Sequence, residues 1–308
     1  MFGRRADGRV LKKIDPIVAL TPYLMPMRCD SQVFMNFKLD YERMARYIVE
    51  KGGEGVKITF LEILIAAFVR GVAEFPEVNR FIVNKRMYAR SQLAVSFVTL
   101  KDTGDTGEIA ENVVKCLFDP HDTLFDVADR VSDVIDKARH EEDNGGALAI
   151  AQFLTKPILA NFVVGMMRLL DRYGIMPKAI LDASPFHTSV FVTHMASIGM
   201  PAVNHHIYNF GTTTMFYSIG AIERTVQLDR DGKPVRKRLL PVGVTADERI
   251  CAGATYARFV ARVVDYMNNP AQLEAPPAAV RFEENRVYGL PQPKRKRLRG
   301  EKHAAIEG

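Results

Sequence analysis

The order of the predicted strands and helices is the feature that most restricts how this chain can fold. Residues 187–195, 214–227 and 235–246 read as strands, and the Asp-Arg-Asp-Gly turn at 229–232 joins the last two as a hairpin. Helices alternate with strands earlier in the chain, and there is no internal repeat. This order excludes a solenoid and a plain helical bundle. It predicts an α/β chain, an α+β sandwich in which helices cover one large mixed sheet.

The first half of the chain carries clear start signals for its helices. Asp40 is placed to cap a helix that reaches about residue 51. Thr59 and Glu62 resemble a capping box that opens an apolar helix to about residue 74. Further helices are predicted at 122–139 and 254–268, and strands at 33–39, 93–100 and 108–118.

An apolar helical stretch at 148–178 is predicted as an insertion in this framework. Its side chains, among them Phe162, Met166 and Leu169, favour burial in a core or an oligomer interface, and a place on a membrane surface is the alternative. No apolar run reaches the roughly 18–20 residues of a membrane span. The charged first residues are followed by no apolar stretch of the secretory type.

The net charge of +6 is concentrated at the two ends of the chain. Residues 1–13 contain five Lys/Arg and one Asp, and residues 291–308 contain six Lys/Arg and two Glu. We therefore predict a basic N-terminal arm at 1–20, a central folded domain at 21–275 and a C-terminal extension at 276–308 with a disordered basic tail. Basic tails are common, so we expect this one to solubilise the chain, and binding to nucleic acid or an anionic surface is the weaker alternative.

General motifs of cofactor and metal chemistry are absent from the sequence. It contains no phosphate loop, no dinucleotide-binding glycine motif and no H-E-x-x-H, so we expect no metal. Cys29, Cys116 and Cys251 lie far apart and match no zinc or disulfide spacing. They are predicted to be reduced thiols of a cytoplasmic protein.

Three segments resemble the catalytic domain of the dihydrolipoamide acyltransferases of 2-oxoacid dehydrogenase complexes, and their relatives the chloramphenicol acetyltransferases. L-P-V-G-V-T-A-D-E-R-I-C-A-G-A at 240–254 is similar to the strand and turn of that family, which reads D-H-R-x-x-D-G-A or H-H-x-x-x-D-G. F-V-T-H-M-A-S-I-G at 191–199 resembles the F-T-[IV]-S-N-L-G strand, and P-E-V-N at 76–79 resembles the P-E-[LV]-N helix end. The resemblance implies a chloramphenicol acetyltransferase-like fold.

The resemblance also implies a mechanism. The histidine of the family turn is a general base that takes a proton from a thiol or hydroxyl acceptor, which then attacks the acyl thioester of coenzyme A. A Ser or Thr hydroxyl stabilises the oxyanion, and the Asp of the D-G pair supports the site. General-base catalysis is worth roughly 10²–10⁴ in rate, and oxyanion stabilisation is worth roughly 10²–10³.

Two of the implied site residues are replaced in this chain. The oxyanion hydroxyl falls on Thr193, but Glu248 stands in place of the base and Ala252 in place of the aspartate. Burial could make Glu248 a base by raising its pKa, whereas an ion pair with Arg249, or with an arginine of another subunit, would give it a structural role. Asp247, Arg249 and Gly253 match the family, and we expect Gly253 to need a positive φ or a close backbone approach.

His205 and His206 are the alternative bases. They lie near the start of the segment 203–211, just ahead of a predicted strand. Because neighbouring residues of a strand point to opposite faces, at most one of them would reach a site. His194 follows Thr193 directly and would face away from it, and for it and His187 we expect structural roles.

The resemblance implies partners as well. Relatives that act on lipoamide carry a lipoyl module, which this chain lacks, so a lipoyl group would come from another chain. Free-standing relatives are trimers with active sites between subunits, and we therefore expect a homo-oligomer, a trimer. Other 2-oxoacid dehydrogenase components or an active homologue are further candidate partners, and coenzyme A or acyl-coenzyme A is the expected ligand, with binding residues undetermined.

Two functions follow. The first is a degenerate acyltransferase that serves as a structural or regulatory subunit and still binds coenzyme A or an acyl carrier. The second is an active acyltransferase to a thiol or hydroxyl acceptor that uses Glu248 or one of His205 and His206 as base.

Overall fold

A computed structural model describes residues 5–102, 109–140 and 156–285 of the 308-residue chain. The basic tail at 291–308 and part of the predicted insertion, 148–155, lie outside the described residues. In chain order the elements are β1 (Gly8–Val10), α1 (Pro16–Leu24), β2 (Gln32–Asp40), α2 (Tyr41–Gly53), α3 (Phe60–Glu74), β3 (Arg80–Val83), β4 (Arg86–Arg90), β5 (Leu93–Asp102), β6 (Ile109–Phe118), α4 (Leu124–His140), α5 (Pro157–Tyr173), α6 (Lys178–Ala183), β7 (Val190–His194), β8 (Met215–Ile219), β9 (Glu223–Leu228), β10 (Pro234–Asp247) and α7 (Gly253–Asn268).

A seven-stranded mixed sheet forms the centre of the molecule. Its strands run in the order β2-β10-β8-β7-β5-β6, with β9 paired to the outer part of β10. The pairs β5/β7 and β7/β8 are parallel and the others antiparallel. A separate three-stranded sheet has the order β1-β4-β3. The predicted mixed sheet covered by helices is thus confirmed.

Helices α2, α3, α4 and α7 cover one face of the large sheet. Phe68 of α3 packs edge-on against Tyr217 of β8 and Phe259 of α7, at ring distances of 6.1 and 5.9 Å. Alternate residues of β10, Val242, Val244 and Ala246, are buried in the same core. Because successive side chains of a strand point to opposite faces, every second residue of β8 and of the 240–246 part of β10 faces the helices, and these residues are apolar.

Asp40 and Thr59 cap the N-termini of α2 and α3, as the sequence predicts. Asp40 accepts hydrogen bonds from the backbone N–H groups of Glu42 and Arg43, at 3.0 and 3.4 Å. The Thr59–Glu62 capping box is complete, because the Glu62 carboxylate also accepts from the Thr59 N–H at 2.7 Å. The two helices consequently begin where the prediction places them.

Two sequence predictions differ from the structure in this region. The single strand predicted at 214–227 is two strands, β8 and β9, because the chain leaves the ladder at Gly220, where a side chain would collide with the backbone of Ala202. The strand predicted around 203–211 does not form. That segment has no regular secondary structure, and the N–H of Val203 in it donates to the Ser218 hydroxyl of β8 at 3.1 Å.

No helix in the described ranges is long and apolar enough to cross a membrane. Within those same ranges, no group of three or more His, Cys, Asp or Glu side chains is placed to hold a metal ion.

Candidate functional site

The turn that follows β10 is held by a buried ion pair. Arg249 donates from Nε and Nη2 to the two oxygens of Asp247, at 2.8 and 2.7 Å, while Nη1 reaches the carbonyl of Met25 at 2.8 Å. Asp247 is fully buried and Arg249 is 3% exposed. The Ser31 hydroxyl and the Arg249 backbone N–H also donate to Asp247, both at 3.1 Å. A buried carboxylate is costly unless hydrogen-bond donors satisfy it, and these four bonds do so. Because two of them come from the Arg249 side chain and one from its backbone, the pair fixes the shape of the turn.

Glu248 lies between these two residues but does not join them. Its backbone N–H donates to the Ser31 carbonyl at 2.9 Å, and its side chain is exposed. The interpretation in which Glu248 pairs with Arg249 is wrong, because the Arg249 guanidinium forms its bidentate ion pair with Asp247. Within one chain, the Glu248 carboxylate bonds to no side chain of the described residues.

Ala252 occupies the N-cap position of α7. Its φ and ψ of −65° and 146° suit an N-cap, but an alanine side chain offers no oxygen to the free N–H groups of the first turn. An aspartate here, as in the family pattern, would supply that cap. Gly253 begins the helix without a positive φ, and a Cβ there would contact nothing within 4 Å. The expected backbone requirement at Gly253 is therefore wrong.

The Ala252→Asp variant is expected to be more stable than the natural chain by about 1 kcal/mol, the typical value of an aspartate N-cap. Urea denaturation measures the difference, and Ala252→Leu is the matched control because it adds a side chain without an acceptor. Equal stability of the two variants would contradict the assignment of residue 252 as the cap.

Thr193 lies on β7, away from the turn. The register pairs Thr193 with Ser218 and Ser218 with Gly243, so Glu248 stands five residues, roughly 16 Å, further along the sheet. The Thr193 hydroxyl is half-buried, and Met195 Sδ lies 3.7 Å away. A single chain therefore does not bring Thr193 and Glu248 together, and a site that uses both would need two subunits.

His205 and His206 lie on the same side of the chain, contrary to the prediction from strand alternation. Their rings stack at 4.5 Å, and His205 also stacks on Phe216 at 4.1 Å. The prediction is wrong because the segment is not a strand. Phe216 and Ser218 share one face of β8, and Thr193 pairs with Ser218, so this face carries both Thr193 and His205.

The chemistry of His205 follows from its surroundings. Its Nδ1 lies 2.7 Å from the carbonyl of His206, so Nδ1 carries the proton and Nε2 is left as an acceptor. Burial lowers the pKa of His205 below its ordinary value, which favours the neutral ring at pH 7. Burial likewise lowers the pKa of His194.

His187 is part of a buried polar network. It is 2% exposed, its Nδ1 lies 2.8 Å from the Ser184 hydroxyl, and its Nε2 lies 3.4 Å from Asp171. Asp171 is also bound by Arg5 at 2.6 Å. Burial opposes the charged form of Asp171, but the His187 contact and the Arg5 charge prevail and hold its pKa below the usual range.

Sequence reasoning missed a group of basic residues next to the turn, which includes Arg28, Lys85 and Arg168. These residues line a cavity together with Arg249. Since they come from separate parts of the chain, no spacing indicates that they meet. The four-residue interval between Arg168 and Arg172, one helical turn, was the available signal.

Comparison with known proteins supports the family resemblance. The family model for the catalytic domain of 2-oxoacid dehydrogenases acyltransferase matches residues 189–275. This range includes Thr193, His205, His206 and the 247–253 turn. No match is found among curated protein sequences.

Solved structures extend the likeness to most of the chain. A probable dihydrolipoamide acetyltransferase from Listeria monocytogenes superposes with a TM-score of 0.51 at 15% identity, covering 83% of this chain and 93% of that one. The dihydrolipoamide acetyltransferase of Azotobacter vinelandii gives 0.52 at 15% identity, covering 85% and 93%. A chloramphenicol acetyltransferase gives 0.51 at 10% identity, covering 84% and 99%.

The fold is therefore the chloramphenicol acetyltransferase-like acyltransferase fold. Residues 189–275 carry the sequence pattern of the 2-oxoacid dehydrogenase acyltransferase catalytic domain, so the resemblance seen in the sequence is confirmed.

Proposed function

We propose that this protein is a non-catalytic member of the acyltransferase fold, a structural or regulatory subunit that still binds coenzyme A or an acyl carrier. The observation that carries the proposal is the turn after β10. Its Asp247–Arg249 pair is intact, whereas the position of the base holds an exposed glutamate and that of the supporting aspartate holds Ala252.

The chemistry of the replacement argues against turnover. Glutamate is a weaker base than imidazole by about two pKa units in ordinary surroundings. In the single chain the Glu248 side chain is exposed. General-base catalysis contributes roughly 10²–10⁴ in rate, and that contribution would be lost.

We also propose that this chain forms a homo-oligomer, specifically a trimer. Thr193 and Glu248 lie at different ends of the strands, as expected for a site shared between subunits. Helices α1 and α5 also expose large apolar side chains, with Ile17 77%, Leu24 70%, Ile158 88% and Phe162 65% exposed. Exposed apolar patches of this kind mark interaction surfaces. Other 2-oxoacid dehydrogenase components or an active homologue are the proposed partners, in the cytoplasm, with any lipoyl group supplied by another chain.

One observation favours the alternative, an active acyltransferase. Thr193 and His205 share one face of the sheet, and the Nε2 of His205 is an acceptor. In that case His205 or His206 would be the base, and activity would survive the loss of the Glu248 carboxylate. An active site that uses Glu248 itself would lose turnover on that change.

The test is calorimetric titration with acetyl-coenzyme A, followed by measurement of thiol release with thiol and hydroxyl acceptors. We expect binding without turnover. Turnover that disappears in Glu248→Gln, His205→Ala or His206→Ala would overturn the proposal in favour of the enzyme. Absence of acetyl-coenzyme A binding would overturn its ligand-binding part.

A gain of function gives the complementary test. The Glu248→His/Ala252→Asp variant restores both missing family residues, and we expect thiol release at least about 10²-fold above the natural chain. Glu54→His/Ala252→Asp is the matched control, because Glu54 is an exposed glutamate at the end of α2. Equal rates in the two variants would contradict the assignment of residue 248 as the base position.

A further inference from the structure

A cavity of about 390 Å³ lies beside the turn that holds Glu248. It is enclosed by the end of α1, the β3–β4 hairpin, α5 and the loop at 209–211. This volume is in the range of small-molecule sites. The charged side chains that line it are Arg28, Lys85, Arg168, Asp171, Arg172 and Arg249.

The charges around the cavity do not balance. Arg249 is matched by Asp247, and Asp171 is matched by Arg5. The described residues place no carboxylate within ion-pair distance of the other four cations, Arg28, Lys85, Arg168 and Arg172. The positive charges around the cavity therefore outnumber the nearby carboxylates, of which Asp247 and Asp171 act on Arg28 without forming an ion pair with it. Such an excess of positive charge favours an anion.

Arg28 makes this imbalance costly. It is 6% exposed, and its guanidinium donates to two carbonyls, those of Tyr208 at 2.7 Å and Gly211 at 2.6 Å. Its Nε has no hydrogen-bond partner among the described residues. Burial lowers the pKa of Arg28 to about 10, which reflects the penalty on its charge. The charges of Asp247 and Asp171 offset part of this penalty, but neither carboxylate bonds directly to Arg28. A buried cation without a directly bonded counter-ion favours an anionic ligand.

The hairpin presents Lys85 in a defined position. Asn84 and Lys85 have φ values of 49° and 61°, the two positive values of a tight hairpin turn. A lysine seldom occupies this region, so the turn carries a local energetic cost. The ammonium of Lys85 lies 5.0 Å from the ring centre of Tyr23, and Arg172 donates to the Asn84 side chain at 3.2 Å. These contacts hold the hairpin tip and α5 at the cavity.

We propose that this cavity binds the phosphate groups of a small organic ligand. Arg28 supplies the buried charge at its base, and Lys85, Arg168 and Arg172 supply charged donors at its rim. Phosphate groups suit such a set, because several guanidinium and ammonium groups can donate to one phosphate. The Asp171 carboxylate also lines the cavity, and its pairing with Arg5 limits its repulsion of an anion.

The test uses calorimetric titration of the full chain with inorganic pyrophosphate, 3′,5′-ADP and adenosine. We expect both phosphates to bind and adenosine not to bind. The test variant is Lys85→Gln/Arg168→Gln. Because Lys85 and Arg168 are exposed, we expect this variant to keep the fold. We expect its affinity for pyrophosphate to fall about 10-fold or more. The matched control is Arg46→Gln/Arg258→Gln, which removes two exposed charges outside the cavity.

Equal weakening in the two variants, or no pyrophosphate binding by the natural chain, would overturn this proposal. Titration with coenzyme A and pantetheine identifies the source of the phosphate. Coenzyme A that competes with pyrophosphate would place its phosphates in the cavity. Pyrophosphate binding without coenzyme A binding would support the cavity and contradict the proposed function. If acetyl-coenzyme A binds equally to the natural chain and to Lys85→Gln/Arg168→Gln, and pyrophosphate does not bind, the proposed function would be supported and the cavity proposal contradicted.

Discussion

Replacing Arg249 by methionine is expected to lower the free energy of unfolding by about 3–5 kcal/mol. The change leaves the Asp247 carboxylate fully buried without its bidentate partner, which is the costly way to break a buried ion pair. For a chain of this size we expect a fall in Tm of roughly 5–8 °C. Urea denaturation followed by circular dichroism measures the loss.

The neighbouring residue provides the control. Glu248→Gln changes a charge in the same turn but on an exposed side chain, so we expect a stability change within about 0.5 kcal/mol. The double variant Asp247→Asn/Arg249→Met removes both charges and should recover part of the loss. If Arg249→Met were as stable as the natural chain, the pair would not hold the turn.

Gly211→Ala is expected to cost more than about 3 kcal/mol. Gly211 has a φ of +86°, and a Cβ on it would collide with the carbonyl oxygen of Phe186. That oxygen cannot easily move, because it accepts hydrogen bonds from the N–H groups of Thr212 and Thr213 and from the Thr213 hydroxyl. The left-handed conformation alone costs roughly 1–2 kcal/mol with a side chain, and the collision adds to it.

A second glycine separates these two costs. Gly232 has a similar φ of +77° in the β9–β10 turn, but nothing lies within 4 Å of a Cβ there. Gly232→Ala should therefore lose only about 1 kcal/mol, measured by the same denaturation experiment. Equal losses at the two positions would contradict the close approach of Gly211 to Phe186. Because Gly211 O also accepts from Arg28, a folded Gly211→Ala variant should bind pyrophosphate more weakly.

Local patterns in the sequence were sufficient for the elements and for the position of the turn. The capping residues Asp40 and Thr59 act on N–H groups two or three residues away, so their effect can be predicted without the rest of the chain. The 240–254 segment likewise placed Asp247, Glu248 and Arg249 at the end of a strand. The identity of Ala252 as an N-cap needed the exact start of α7, which propensity does not determine.

The sequence by itself determined the α/β class, the mixed sheet and the family resemblance, because these depend on periodicity and short motifs. Only the tertiary structure decided that Asp247, not Glu248, pairs with Arg249. It also placed His205 and His206 on one side and brought Arg28, Lys85 and Arg168 to one cavity. These three are separated by more than fifty residues along the chain, and their meeting depends on how helices and sheets pack, which no local pattern of residues specifies.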